Sequence, residues 1–168
     1  MPKLKCEFKE MKRFERNILE MSRDTAKILK PAVFDGARVA ANALRETVSG
    51  LACVTDAQAI MAWRAGTPSL ISFSQKQGLL AALGIAKMKS KGFSFNTRTG
   101  FDGYNDVVTR RWPLGQPNVM IAASCEHGSS AMLAQPFVDP ADKLCEAAVR
   151  EVMEETAQKK IEEILDQS

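Results

Sequence analysis

The sequence predicts an α+β fold in which a small antiparallel β-sheet is packed by long N-terminal and C-terminal helices. Three observations support this: apolar residues at helical spacing near both ends, alternating apolar residues between positions 91 and 101, and a proline-containing approach to the last helix. The chain of 168 residues is long enough for one domain with a hydrophobic core. We expect a helical part in 1–50, a mixed middle in 74–138 and a long final helix in 139–167.

Two amphipathic helices are predicted in the first fifty residues. Between Phe8 and Met21, apolar side chains recur every three or four positions, with Lys and Glu between them. The same spacing continues from Ala26 to Leu51. Pro31 marks a kink or the first turn of this second helix, and Gly50 is a plausible stop.

The middle of the chain changes character several times. Residues 52–72 are ambiguous, with a short helix from Asp56 to Ala65 as one reading. Ser74 is a candidate cap for a helix that reaches Lys87 or Met88. Alternation between Lys91 and Phe101 predicts a β-strand, and residues 106–118 read as an irregular, exposed loop.

The last third predicts two helices and a short edge strand. Asn118 would cap a helix over Val119–Glu126 that ends at Gly128, and Met132–Val138 would form the strand. Asp139 followed by Pro140 resembles an N-cap with proline at the first helical position. The helix that follows would be about 40 Å long, so we expect its distal end to project and bind a neighbour.

Charge is distributed unevenly along the chain, although the net charge is only +3. Residues 1–50 carry 11 basic and 7 acidic side chains, and residues 76–111 carry 7 basic and 2 acidic ones. Residues 139–168, in contrast, carry 4 basic and 9 acidic side chains. A chain with a basic region and an acidic end can pair head-to-tail with its own copies, or place the basic region near nucleic acid.

Catalysis and metal binding have little support in the sequence. His127 is the only histidine, and its neighbours Glu126, Ser129 and Ser130 are adjacent in sequence, whereas a Ser-His-acid triad needs groups that converge from different elements. The four cysteines match no zinc-ligand spacing, and no nucleotide-binding glycine motif is present. We therefore expect a non-enzymatic protein without a cofactor, in which His127 interacts with the end of a helix.

A nucleic-acid-binding module is the main alternative. Residues 87–112 interleave cations with aromatic residues, a combination suited to single strands; these residues are Lys87, Lys89, Lys91, Arg98, Arg110 and Arg111 with Phe93, Phe95, Tyr104 and Trp112. The competing interpretation is a basic surface whose aromatic residues lie in the core or at a protein interface. The modest charge and the acidic C-terminus favour the second interpretation.

The chain carries no sign of membrane insertion. Its first ten residues are charged throughout and lack the apolar stretch of a signal peptide. Its apolar runs fall well short of the roughly 20 residues that a spanning helix needs. We expect the protein to fold in the cytoplasm.

Several segments taken in order resemble one family. They are Leu-Leu-Ala-Ala-Leu-Gly-Ile-Ala-Lys-Met at 79–88, Thr-Gly-Phe-Asp-Gly-Tyr at 99–104, Ile-Ala-Ala-Ser-Cys-Glu-His-Gly-Ser at 121–129, and Gln-Pro-Phe-Val-Asp-Pro-Ala at 135–141. Together with the two N-terminal helices, this series resembles the tail-component family of long-tailed bacteriophages. That family comprises the tail completion proteins of lambdoid phages and includes minor tail protein Z as a related member.

The resemblance implies a structural role in a phage or prophage tail. A member of this family would complete the tail or join it to the head by forming a ring of identical copies. The ring would contain six copies if it follows the symmetry of the tail. The implied partners are tail terminator, tail tube or neck proteins, and no membrane is among them. The implied location is the virion tail, and the host cytoplasm during assembly.

The residues expected to serve this role are scaffold and interface residues. Gly103 would allow a tight turn before Tyr104, Glu126-His127-Gly128 would end a helix, and Phe137 would be a buried anchor between two prolines. The charged candidates would meet neighbouring subunits. The full set is Gly103, Tyr104, Arg110, Arg111, Glu126, His127, Gly128, Pro136, Phe137, Pro140, Glu154, Glu155, Glu162 and Glu163.

Overall fold

The computed structural model describes residues 24–91 and 94–166, and it confirms the predicted α+β class. The helix predicted between Phe8 and Met21 lies outside the described residues. In chain order the elements are α1 (Thr25–Gly50), α2 (Asp56–Arg64), α3 (Phe73–Ala82), β1 (Leu83–Ile85), β2 (Lys89–Lys91), β3 (Ser94–Asn96), β4 (Thr99–Phe101), α4 (Asn118–His127) and α5 (Val138–Asp166).

Helices α1 and α5 form an antiparallel pair. Ala43 of α1 packs with Ala141 and Cys145 of α5, and small side chains at this contact allow the backbones to approach closely. Farther along, the Met153 side chain lies within 2.8 Å of the place where a Cβ on Gly36 would stand. The Thr156 hydroxyl donates to the Asp35 carboxylate at 3.2 Å. The predicted helix over residues 26–51 is therefore confirmed.

The structure limits the expected projection of the final helix to its distal end, and binding of a neighbour there stays a prediction. Its contacts with α1 continue at least to Thr156, so any projecting part among the described residues is confined to 157–166. The small residues of α1, with Gly36 at the centre, explain the length of the contact, because they offer α5 a long surface to pack against.

The main core lies where the C-terminal half of α1, α3 and α4 meet the beginning of α5. Its largest fully buried side chains include Val48, Ile71, Leu79 and Phe137. Burial of a Val, Leu, Ile or Phe side chain contributes about 1.5–3 kcal/mol. This core therefore fixes α4 relative to α5, which is the arrangement on which the groove described below depends.

The strands form a long hairpin arm between α3 and α4. Strands β1 and β4 pair antiparallel with Leu83 opposite Phe101 and Gly84 opposite Gly100. Farther out, β2 and β3 form a second two-stranded sheet. The helix expected to reach Lys87 or Met88 was predicted too long: it begins after Ser72, which makes a capping box with Gln75, and ends at Ala82.

Two local predictions in the last third are also wrong. Asn118 is the first residue of α4 rather than its cap; Pro117 holds the cap position, and the Asn118 amide donates to the carbonyl of Asp102 at 3.0 Å. Residues 132–138 form no strand, apart from a single bridge between Met132 and Ser69. Within residues 24–91 and 94–166, no helix is both long and apolar enough to cross a membrane.

Candidate interaction surfaces

The predicted helix end at Glu126-His127-Gly128 is present and tightly turned. Helix α4 stops at His127, and Gly128 follows in a left-handed conformation with φ of 77°. The Gly128 N–H donates to the carbonyl of Ser124 at 2.9 Å. A side chain at Gly128 would be strained there and would also crowd Ala134 at 3.3 Å. Glycine is therefore required for the sharp exit from α4.

Glu126 supplies the N-terminal cap of α5 across this turn. The backbone N–H groups of Phe137 and Val138 donate to Oε2 of Glu126 at 2.8 and 3.1 Å. A carboxylate at a helix N-terminus satisfies unpaired N–H groups and interacts favourably with the helix dipole. The prediction of Asp139 as the cap is wrong, because α5 begins at Val138, and Pro140 lies inside its first turn.

Phe137 anchors the beginning of α5 in the core. Its side chain is almost completely buried and makes an edge-to-face contact with Phe101 of β4, with ring centroids 5.8 Å apart. The Gln135 N–H donates to the carbonyl of Cys125 at 2.6 Å. Pro136 is exposed between these two attachments. The aromatic pair therefore joins the hairpin to the beginning of α5, and the hydrogen bonds to Cys125 and Glu126 join α4 to the same segment.

A groove of about 770 Å³ opens beside this joint. Its walls come from β1, β4, α4 and the first residues of α5, with Val119, Ala123 and His127 on the α4 side. Gly84 and Gly100, which face each other across β1 and β4, also line it, and a Cβ on either would meet nothing within 4 Å. The groove therefore includes a stretch of bare strand backbone.

The groove does not assemble a catalytic group around His127. His127 is exposed, and no hydrogen bond links it to Ser129 or Ser130 within the described part of the chain. The Ser129 hydroxyl instead accepts the N–H groups of Ala131 and Met132. Burial, assisted by the Glu126 charge, raises the pKa of the Cys125 thiol to about 11, which keeps it protonated.

No cluster of three potential metal ligands occurs among residues 24–91 and 94–166. Cys125 and Cys145 are buried, whereas Cys53 is exposed. Cys125 lies in α4, Cys145 lies in α5, and Cys53 lies in the segment before α2, so the three belong to different parts of the fold.

The basic residues of the predicted segment 87–112 fall on two elements. The hairpin arm exposes Lys87, Lys89, Lys91 and Arg98, and none of them forms an ion pair with a residue that the structure describes. Its aromatic residue Phe95 is half-buried, with the Lys30 ammonium 5.7 Å from the ring centroid. The described part of the hairpin arm therefore presents cations rather than stacking faces, and Phe93 of the predicted segment lies outside the described residues.

The loop between β4 and α4 carries the other cations. Arg110 and Arg111 are exposed, and the Arg111 guanidinium lies 5.5 Å from the centroid of the Trp112 ring. Gly103 turns the chain with φ of 68°, and the Tyr104 ring that follows is exposed. The prediction of a wholly exposed loop needs correction at Gly115, which is buried against the backbone of Asn105.

The acidic residues of α5 lie on its outer side, as predicted. Glu154, Glu155 and Glu162 are exposed, and Glu162 accepts a hydrogen bond from Gln158 at 3.1 Å. Glu163 pairs with Lys160, whose hydrogen bond lowers the pKa of the Glu163 carboxyl. Glu154 and Glu155 have no ion-pair partner among the described residues.

Sequence reasoning missed a surface on α2. This helix buries no side chain, yet it exposes Ile60, Met61 and Trp63, which are 51%, 69% and 71% exposed. We name these three residues the apolar knob. The available signal was the capping box of Thr55 and Gln58, which indicates a helix but not which of its sides is covered.

Comparison of the chain with protein-family models, with curated proteins and with solved structures found no match. The resemblance to phage tail-component proteins therefore stays a prediction.

Proposed function

We propose that this protein is a non-enzymatic structural component of a phage or prophage tail. It would act in tail completion or head-tail joining by forming a ring of identical copies and contacting tail terminator, tail tube or neck proteins. The observation that carries the self-assembly part is the separation of opposite charges onto two exposed surfaces. The resemblance of residues 79–88, 99–104, 121–129 and 135–141 to the tail-component family supports the tail assignment.

The two charged surfaces suit contact between copies. The hairpin arm offers Lys87, Lys89, Lys91 and Arg98, while the outer side of α5 offers Glu154 and Glu155 without described ion-pair partners. Complementary patches steer association and fix its orientation. Patches on different elements can pair head-to-tail between copies, and such a heterologous contact closes into a ring when the rotation per subunit allows it.

Complementation tests this function directly. The gene should restore infectious particles to a phage whose tail completion step is defective, and light scattering should detect oligomers as protein concentration rises. A protein that stays monomeric over the whole concentration range and also fails to complement would contradict the proposal.

A nucleic-acid-binding module remains the second candidate, favoured by the exposed cations of the hairpin arm and by Tyr104, which is exposed. A gel shift at low salt that weakens as salt increases would support it, because each phosphate contact releases counterions. Absence of a shift at low salt would remove it. Phe95 weighs against it, because its ring is half-buried beneath Lys30.

A further inference from the structure

Two glycines that line the groove have no conformational reason to be glycine. Gly84 of β1 and Gly100 of β4 lie opposite each other in the antiparallel pair. Neither has a positive φ, and a Cβ on either would meet nothing within 4 Å. Glycine inside a strand loses more conformational entropy on folding than any other residue, and it supplies no side chain to pack. The fold itself therefore gains nothing from this pair.

The glycine pair leaves strand backbone open to a second chain. Glycines inside strands often mark places where a ligand or another backbone approaches closely. Strands β1 and β4 form a sheet of only two strands within the described residues, so each has an edge to which no third strand pairs there. The groove, with a volume of about 770 Å³, falls in the size range of ligand-binding sites. These features suit an extended peptide, which binds largely through its own backbone.

The helical side of the groove supplies apolar contacts. Val119 of α4 and Val138 of α5 line it and are 60% and 46% exposed. The aromatic residues of the groove are less accessible, since Phe101 is half-buried and Phe137 is buried. They offer no stacking face to a nucleic-acid base. The occupant that fits these contacts is therefore a peptide with apolar side chains rather than a nucleic acid.

Both signs of charge line the groove, but they are not equally engaged within the fold. The Glu126 carboxylate caps α5, and the Asp102 carboxylate accepts the N–H of the next residue at 2.7 Å. Arg98 and His127 are exposed, and neither side chain has a hydrogen-bond or ion-pair partner in the part of the chain that the structure describes. The groups left for a ligand are thus chiefly donors, which a carboxylate satisfies best.

We propose that the groove binds an extended, acidic peptide segment of a partner protein, with the peptide backbone over Gly84 and Gly100 and a carboxylate at Arg98 and His127. The apolar side chains of the peptide contact the helical side of the groove. This inference goes beyond self-assembly, because the bound segment belongs to a different protein. The site shares Arg98 with the charged surface of the hairpin arm, so its test relies on Gly84 and His127 as well.

Peptide arrays test the site. One array carries hexapeptides in which every position is Val, Leu, Tyr, Asp or Glu, and a second array has Lys and Arg in place of Asp and Glu. The fluorescently labelled full chain should bind members of the acidic array. Fluorescence polarisation should show that the best of these peptides bind at least about tenfold more tightly than their basic counterparts. Absence of binding to every acidic member, or equal binding to both arrays, overturns the proposal.

Gly84→Val separates binding from folding. The added side chain fills open space beside the strand backbone and should weaken peptide binding by about tenfold or more. Urea denaturation should show the variant to be at least as stable as the wild type, because valine favours strands and glycine does not. Ser90→Val is the matched control, since it adds a valine to β2 at an exposed position outside the groove and should leave the affinity unchanged.

Three results of this comparison would overturn the proposal. They are unchanged binding by Gly84→Val, an equal loss of binding in Ser90→Val, and a Gly84→Val protein less stable than the wild type. The last result would mean that the fold itself requires the glycine.

Further variants test the two cations. Arg98→Glu and His127→Ala should each weaken binding by about fivefold or more, because each removes a donor to the carboxylate. Lys89→Glu changes an exposed cation of the hairpin arm outside the groove and should have little effect. Equal losses in Arg98→Glu and Lys89→Glu would mean that overall charge attracts the peptide, and they would contradict the site.

The outcomes distinguish this inference from the proposed function. Complementation by the wild-type gene without peptide binding leaves the tail function standing and overturns the groove site. Peptide binding by a protein that neither self-associates nor complements supports the groove site and contradicts the tail function.

Discussion

Helices α2 and α4 have nearly the same length, 9 and 10 residues, but they are stabilised in opposite ways. Helix α2 has a complete capping box and buries no side chain. Helix α4 has no side-chain cap at its N-terminus and buries Asn118, Ile121, Ala122 and Cys125. Local hydrogen bonds fix one helix, whereas tertiary packing fixes the other.

The difference shows which surface is available for a partner. Ile121, Ala122 and Cys125 of α4 are buried in the core, whereas Val119 and Ala123 are exposed and line the groove, so this helix contributes to stability and to the groove wall. Apolar residues of α2 contribute to no described core cluster. Substitutions of buried α4 residues or of their partners should therefore destabilise the protein, whereas substitutions at the knob should leave its free energy of unfolding nearly unchanged.

The largest expected effect comes from Phe137, which joins α4, β4 and α5. Phe137→Ala should lower the free energy of unfolding by about 3–5 kcal/mol, because it removes a buried ring and leaves a cavity. Trp63→Ala should change that free energy by less than about 0.5 kcal/mol, because the ring is mostly exposed. Urea denaturation measures both. Similar losses in the two variants would contradict the contrast between the helices.

A smaller loss is expected at Gly78 of α3, where the loop before α4 packs closely. A Cβ there would lie 2.5 Å from Cβ of Asn105. Overpacking costs about 1–3 kcal/mol, which exceeds the gain of at most about 1 kcal/mol from placing Ala in a helix. Gly84→Ala is the control, since its Cβ meets open space. Equal stability of Gly78→Ala and the wild type in urea denaturation would refute this packing.

The next effect is confined to α2. Thr55→Ala removes the hydroxyl that accepts the Gln58 N–H at 3.3 Å, and loss of such a cap costs about 1 kcal/mol. We expect faster hydrogen exchange of the α2 amides with little change in the exchange of α4. Uniformly faster exchange in both helices would mean that α2 is not an independently stabilised element.

The smallest effect depends on pH. The side chains of Ser72 and Ser74 lower the pKa of the Asp56 carboxyl below its usual 3.8. Because the pKa of Asp56 is lower in the folded state, its charged form stabilises the folded state when the pH lies above the pKa of the unfolded state. This stabilisation disappears as the pH falls through the pKa of the folded state. Exchange of the α2 amides, corrected for intrinsic rates, should therefore accelerate below about pH 4. Asp56→Asn should remove that dependence; if the acceleration persists, another group is responsible.

The sequence predicted α1 and α5 well because the spacing of their apolar residues depends only on near neighbours and repeats over many turns. It mispredicted the end of α3, since the apolar run that includes Leu83 and Ile85 suits a helix and a buried strand equally. Pairing with Thr99 and Phe101 decides between them, and that contact is distant in sequence. The cap of α5 was missed for the same reason, because Glu126 precedes Phe137 by 11 residues.

The candidate surfaces were predictable to different degrees. The acidic residues of α5 and the cations of the hairpin arm are exposed, as charge alone suggests. The apolar knob was not predictable, because Trp63 and Met61 on a helix ordinarily indicate a buried face. Only the tertiary structure shows that nothing in the described part of the chain covers them.

Sedimentation velocity at low salt tests the central claim of ring-type self-assembly through opposite charges. The wild type should form an oligomer of defined size at high concentration, and Lys at positions 154, 155, 162 and 163 in place of Glu should return it to monomer. Mixing that variant with one carrying Glu in place of Lys87, Lys89, Lys91 and Arg98 should restore association. A wild type that remains monomeric, or identical distributions for the wild type and the charge-reversed variant, would contradict the account.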